Sequence, residues 1–219
     1  MHPMTRRRYG VFHASPGRAM AAHRLRHAAH ASSRLRGLRG APGRGRDWPV
    51  ENPRADQVLF AKHFERAQGW LGLEKFDEAA LSLDRIPSAF QARREVLQLR
   101  AQLGLASGQW ALSAALFRQL IELDDTEPQY WVSLAYATRR AQSIAEAEPV
   151  LREAGQRFPR TGLIWYNLAC YAAQEARLPE AHELLQEALR LEPGLLALAK
   201  ADEDLRPYWA GRPPGKGGG

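Results

Sequence analysis

Residues 131–159 read WVSLAYATRRAQSIAEAEPVLREAGQRFP, and residues 165–193 read WYNLACYAAQEARLPEAHELLQEALRLEP. Superposed at a step of 34, the two stretches share Trp131 with Trp165, Leu134 with Leu168, Ala135 with Ala169, Ala147 with Ala181, Leu151 with Leu185, Ala154 with Ala188 and Pro159 with Pro193. A period of this size marks a unit that cannot bury its apolar face alone and stacks on copies of itself. Carried toward the N-terminus, the same step keeps the small residues in phase, with Ala67 and Ala101 in the first slot and Ala79 and Ser113 in the second. Leu83 and Phe117 take the place of Leu151 and Leu185, and Phe76, Trp110, Ile144 and Leu178 keep step as well. Units at about 60–93, 94–127, 128–161 and 162–195 follow without insertion.

Within each unit the apolar residues recur at helical spacing, with Gly or Pro at the breaks and no alternating strand pattern. Each unit therefore folds as two antiparallel helices. A small side chain where they cross lets the backbones approach to the short end of the usual 8–10 Å, roughly, and the in-phase Leu or Phe fills the volume beside it. Pro159 and Pro193 stop the second helix of their units, because proline cannot continue the hydrogen-bond ladder. Thr126 reads as the N-cap of the third unit, with Gln129 completing a capping box.

This pattern resembles the tetratricopeptide repeat, whose signature runs W-x2-L-G-x2-Y, A-x3-F, P. In the fourth unit Trp165, Leu168, Ala181, Leu185 and Pro193 match, Ala169 stands in the glycine slot and Ala172 in the tyrosine slot. The third unit matches similarly, with Thr138 in the tyrosine slot, whereas the first two carry His63 and Leu97 in place of Trp and Arg66 and Arg100 in place of Leu. The resemblance implies an all-α fold, an α-solenoid of antiparallel helix pairs over residues 55–210. Residues 193–209, PGLLALAKADEDLRPYW, follow the last repeat with Leu195, Leu196, Leu198, Leu205 and Trp209 and are expected to form a closing helix and an ordered extension, a cap over 196–209.

Outside the repeats the composition changes. Residues 1–54 carry 12 Arg and no Lys against Asp47 and Glu51, a local charge of +10, so the formal +7 of the whole chain leaves −3 on the rest. With few large apolar groups, this segment is expected to be disordered, as is the tail at 211–219. An Arg-rich segment fits three roles: a nucleic-acid or anionic-surface tether, whose affinity falls steeply with salt, an organelle leader, or residues upstream of the true start. One cysteine allows no internal disulfide, and no secretory signal or run of about 20 apolar residues is present. The repeat region is expected to be cytoplasmic.

The same residues offer little for catalysis or metal binding. Cys170 is the only cysteine, and a thiol becomes a nucleophile when a base or cationic cluster meets it. On a helix it lies roughly 140° from Trp165, away from the packing seam. His182, the nearest candidate base, follows Ala181 on the second helix and is expected to point away. The body holds one Cys and two His, too few for a closed zinc site. The acidic runs DDTE (124–127) and DED (202–204) lack the twelve-position calcium loop and read as solvated helix ends. No phosphate-cradling glycine motif is present. No cofactor, metal or catalytic set is expected.

The face left over is the inner wall of the first helices. In tetratricopeptide proteins this wall commonly receives an extended or helical peptide, and the resemblance assigns it here to Phe64, Gln68, Gln98, Gln102, Val132, Tyr136, Arg139, Tyr166, Asn167 and Cys170. Amides bond a peptide backbone, rings offer rigid contact area, and Arg139 and Arg140 suit an acidic side chain or a terminal carboxylate. The carboxylate clamp of chaperone-docking members is not matched, since Phe64, Gln68, Leu99, Gln129 and Ser133 occupy its slots. The expectation is a non-catalytic module that binds a protein or peptide. The alternatives are a tether acting through residues 1–54 and a thiol enzyme acting through Cys170.

Overall fold

The computed structural model describes residues 53–211. Residues 1–52 of the Arg-rich segment, with the tethering, leader and start-site readings attached to it, lie outside the described residues, as does most of the C-terminal tail. The described residues form α-helices and two 3-10 turns in the order α1 Pro53–Gly72, α2 Phe76–Asp84, α3 Arg94–Ser107, α4 Trp110–Leu123, α5 Pro128–Ala141, α6 Ile144–Arg157, α7 Gly162–Gln174, α8 Leu178–Leu191, α9 Leu195–Ala201 and α10 Arg206–Ala210. No strand occurs among them. The second helix of each pair opens at Phe76, Trp110, Ile144 and Leu178, the four residues that keep step in the sequence. The architecture is an α-solenoid of antiparallel pairs closed by α9 and α10.

The small-residue pattern explains how the pairs nest. Ala67, Ala101, Ala135 and Ala169 on the first helices and Ala79, Ser113, Ala147 and Ala181 on the second are at most 1% exposed, and Leu83, Phe117, Leu151 and Leu185 at most 2%. Ser113 substitutes for alanine without an orphaned hydroxyl, because its Oγ donates to the Ala101 carbonyl at 2.8 Å across the helix pair. A Cβ at Gly104, one turn further along α3, would collide with that same Oγ, so the closest approach of this pair depends on glycine. The core runs as a chain of three clusters: one from Phe60 to Leu103, a second from Leu97 to Ala137 and a third from Trp131 to Tyr208. Each shares helices with the next, the arrangement expected when a unit touches only its neighbours.

The turns within the pairs show the same period. Glu74, Gly108 and Ala176 hold the same place in the first, second and fourth pairs, 34 and 68 residues apart, and take left-handed conformations, with φ of 56°, 78° and 58°. This conformation closes a helix C-terminus at least cost in glycine, and only the second pair supplies one.

Three departures from the sequence reading have local causes. First, α1 begins at Pro53 rather than near residue 60, because proline is tolerated in the first helical turn and nothing between it and Gly69 breaks the helix. Second, α5 is capped by Glu127, not Thr126. Pro128 opens the helix and makes the residue before it the cap, and the Glu127 side chain accepts from the Gln129 N–H at 3.3 Å while the Thr126 hydroxyl donates to Asp124 at 2.6 Å. Third, α2 stops at Asp84 because Pro87 forbids continuation. A 3-10 turn, Ser88–Phe90, follows it.

The early stop of α2 is repaired by one side chain. Gln91 Nε2 donates to the Leu83 carbonyl at 2.9 Å and the Ile86 carbonyl at 2.7 Å, and Arg100 holds its Oε1 at 2.8 Å while pairing with Asp84 at 3.0 Å. Gln91→Ala strips the Ile86 carbonyl of its side-chain donor and leaves the Leu83 carbonyl with only the longer bond from the Ile86 N–H at 3.2 Å. It is expected to lower stability by about 1–3 kcal/mol in urea unfolding.

A charge network ties the third pair to the fourth. Arg177 reaches Glu148 at 2.6 Å and Glu175 at 2.9 Å and also pairs with Glu180, while Arg152 reaches Glu180 at 2.6 Å and also pairs with Glu148. The Arg152 hydrogen bond, aided by Arg177 against the opposing effect of burial, holds the Glu180 carboxyl below its ordinary value of 4.5. A depressed carboxyl stabilises the fold above its unfolded pKa, and that contribution disappears as pH falls through the folded value. Thermal melts are therefore expected to weaken on acidification from about pH 5 to about pH 3, with a shallower fall in Glu180→Gln.

Candidate functional site

The positions assigned to the inner wall divide into an open half and an occupied half. On α1 and α3, Gln68 is exposed and Phe64, Gln98 and Gln102 are half-buried. Phe64 stacks on Phe60 with ring centroids 5.6 Å apart, and Gln98 accepts a long hydrogen bond from the Tyr130 hydroxyl at 3.4 Å. On α5, Tyr136 is half-buried and meets Trp110 edge-on at 5.9 Å, while the Arg140 guanidinium lies over the same indole at 4.9 Å. These contacts set rings and amides in fixed places while leaving part of each accessible. Val132 behaves differently: it is 8% exposed and belongs to the core cluster of α5 to α10, so it packs.

At α7 the wall is covered by the chain itself. After α9 the backbone extends at Asp202, makes a 3-10 turn, Glu203–Leu205, and returns across α7 before α10. Asp202 Oδ2 accepts from the Tyr166 hydroxyl at 2.5 Å and lies 3.8 Å from the Cys170 Sγ. Asp204 accepts both Arg139 N–H groups, at 2.5 and 2.9 Å, and its carbonyl accepts from Gln174 Nε2 at 2.9 Å. Arg139 also lies over the Tyr171 ring at 5.2 Å. Asn167 is turned to its own helix, donating to the Leu163 carbonyl at 2.8 Å. Arg139, Tyr166 and Cys170 thus lie together, and the group they meet is the DED run, which is a contact of this wall and not a solvated helix end.

This arrangement determines the electrostatics. Burial opposes the charge of Arg139, but the Asp204 carboxylate outweighs it and the pKa rises. Burial raises the Tyr166 hydroxyl, and the Cys170 and Asp202 charges add to it. Cys170 is 3% exposed. Burial, then the Asp202 and Asp204 carboxylates, push its thiol well above the ordinary range. His182 faces the other way, its Nδ1 2.7 Å from the Tyr208 hydroxyl. A protonated, covered thiol is a poor nucleophile. Thiol-reagent labelling of the native chain at neutral pH is expected to run at least about tenfold slower than for a free thiol and to reach that rate on unfolding.

No protein-family model and no curated protein matches the chain. Solved structures of MamA are similar to it. A crystal structure of MamA aligns with a TM-score of 0.56 at 14% identity, covering 70% of this chain and 86% of that one. The MamA AMB-1 structure aligns with a TM-score of 0.51 at 15% identity, covering 73% and 87%. The likeness is one of fold. It agrees with an all-α fold of antiparallel helix pairs. Among the described residues no group of His, Cys, Asp and Glu is placed to hold a metal ion, and no helix is long and apolar enough to cross a membrane.

Proposed function

We propose that residues 55–210 form a four-repeat, non-catalytic binding module, flanked by segments at 1–54 and 211–219, that takes a peptide or protein segment along the wall of its first helices. The observation that carries this reading is the chain's own behaviour. On α5 and α7 the wall already binds an irregular acidic segment through a guanidinium fork, a hydroxyl and a side-chain amide. The positions on α1 and α3 that correspond to Tyr166 and Cys170 carry amides and a ring with part of their surface open. A repeat scaffold uses equivalent positions in successive units as one extended surface, so the open half has the chemistry to continue what the occupied half does.

Peptide display against the full chain tests the reading. Selected peptides are expected to lose at least about tenfold in affinity with Gln102→Ala and with Tyr136→Ala, since truncating an interface anchor costs more than about 1 kcal/mol. Affinities indifferent to both substitutions would contradict it.

A further inference from the structure

The Asp202–Asp204 segment makes the contacts of a ligand. Its two carboxylates, two residues apart, are aimed at one face, and the intervening Glu203 turns outward to pair with Arg206 at 3.2 Å. Asp202 Oδ1 accepts from the Asp204 N–H at 2.9 Å, which folds the segment into a compact turn that presents both acids together. The receiving side chains reach it from two helices, Arg139 on α5 and Tyr166, Cys170 and Gln174 on α7. One carboxylate is read bidentately and the other by a hydroxyl, with a main-chain carbonyl read by an amide. Paired N–H bonds from a planar guanidinium give geometric selectivity for a carboxylate that a lone positive charge does not. Leu205 follows as a fully buried anchor.

We propose that Arg139, Tyr166, Cys170 and Gln174 form a binding site for acidic peptides of the pattern Asp-x-Asp-Leu, and that the chain's own residues 202–205 hold it closed as an internal competitor. The proposal rests on the peptide-binding reading above and adds the ligand's chemistry and the gate. The closing segment has two advantages over any ligand. It is tethered, so its effective concentration is on the order of millimolar, and Leu205 and Tyr208 anchor it in the core. A free peptide is thus excluded from the wild-type chain at micromolar concentration, whereas a partner that also grips the open positions on α1 and α3 gains the avidity to compete.

The test uses the full chain and a labelled peptide of the chain's own sequence, KADEDLRPYWAG (residues 200–211). In the Asp202→Asn/Asp204→Asn chain the internal competitor is weakened. This chain is expected to bind the peptide at least about tenfold more tightly than wild type and to lose the gain when Arg139→Ala is added. A folded double variant with no gain, or a gain indifferent to Arg139, overturns the proposal. If the double variant does not fold, amide exchange in wild type decides. Residues 202–211 are expected to exchange at least about tenfold faster in several millimolar peptide, and an unchanged rate overturns the proposal. Peptides selected on the open half are read through Gln102→Ala, so failure of the gate is distinguishable from failure of the binding module.

Discussion

Replacing Leu151 with alanine is expected to remove about 2–5 kcal/mol of stability, the range for truncating a fully buried leucine. Leu151 has no exposed surface and lies in the cluster that also holds Trp131, Ala135, Ala154 and Trp165. Ala135 and Ala154 in that cluster have no side-chain length with which to fill the vacated space. The upper part of the range is therefore expected. The loss should also be local. The cluster at the N-terminal end shares no residue with this one, and in a repeat array stability divides into unit and interface contributions. Urea unfolding of the variant is expected to split into two transitions, the first reported by loss of Cys170 protection.

The opposite substitution is expected to do comparable damage. Ala169→Leu adds volume at a position with no exposed surface, where α7 crosses α8 and Ala181 packs from the other side. Overpacking a filled core costs about 1–3 kcal/mol and occasionally more. Here the added atoms press on backbone as well as on side chains, so about 3 kcal/mol or more is expected. Ala145→Leu, on the exposed side of α6, supplies the control. It should change stability by no more than about 0.5 kcal/mol. Equal effects at the two positions would mean that the in-phase alanines do not mark the seam.

The different fates of these residues show what a sequence can disclose. The helix pairs were legible because one constraint recurs: the seam admits only a small side chain, so Ala67, Ala101, Ala135 and Ala169 stand at one interval. The placement of Cys170 away from the seam and of His182 away from Cys170 followed from helical geometry alone. The fate of Val132 did not, because it lies close to the edge of the seam-facing arc, where the packing of the neighbouring helix decides whether a residue is wall or core. The Asp202–Asp204 contact was not legible because it joins residues up to 65 apart and occurs once, so no period exposes it. Its one trace was Arg139, the single charged group among the residues assigned to the wall, which called for a carboxylate from somewhere. The early end of α2 had a plain signal in Pro87, outweighed by the regular 34-residue step.

The most direct measurement is a thiol scan in the Cys170→Ala background, with single cysteines at Ala67, Ala101, Ala135 and Ala169 and, one residue further on in three of those helices, at Gln68, Gln102 and Tyr136. Every cysteine in the first set is expected to react only as fast as the chain unfolds, and those in the second set within about tenfold of a free thiol. Labelling of the first set as rapid as that of the second would place the alanines on the surface and contradict the stacked helix pairs on which the binding wall depends.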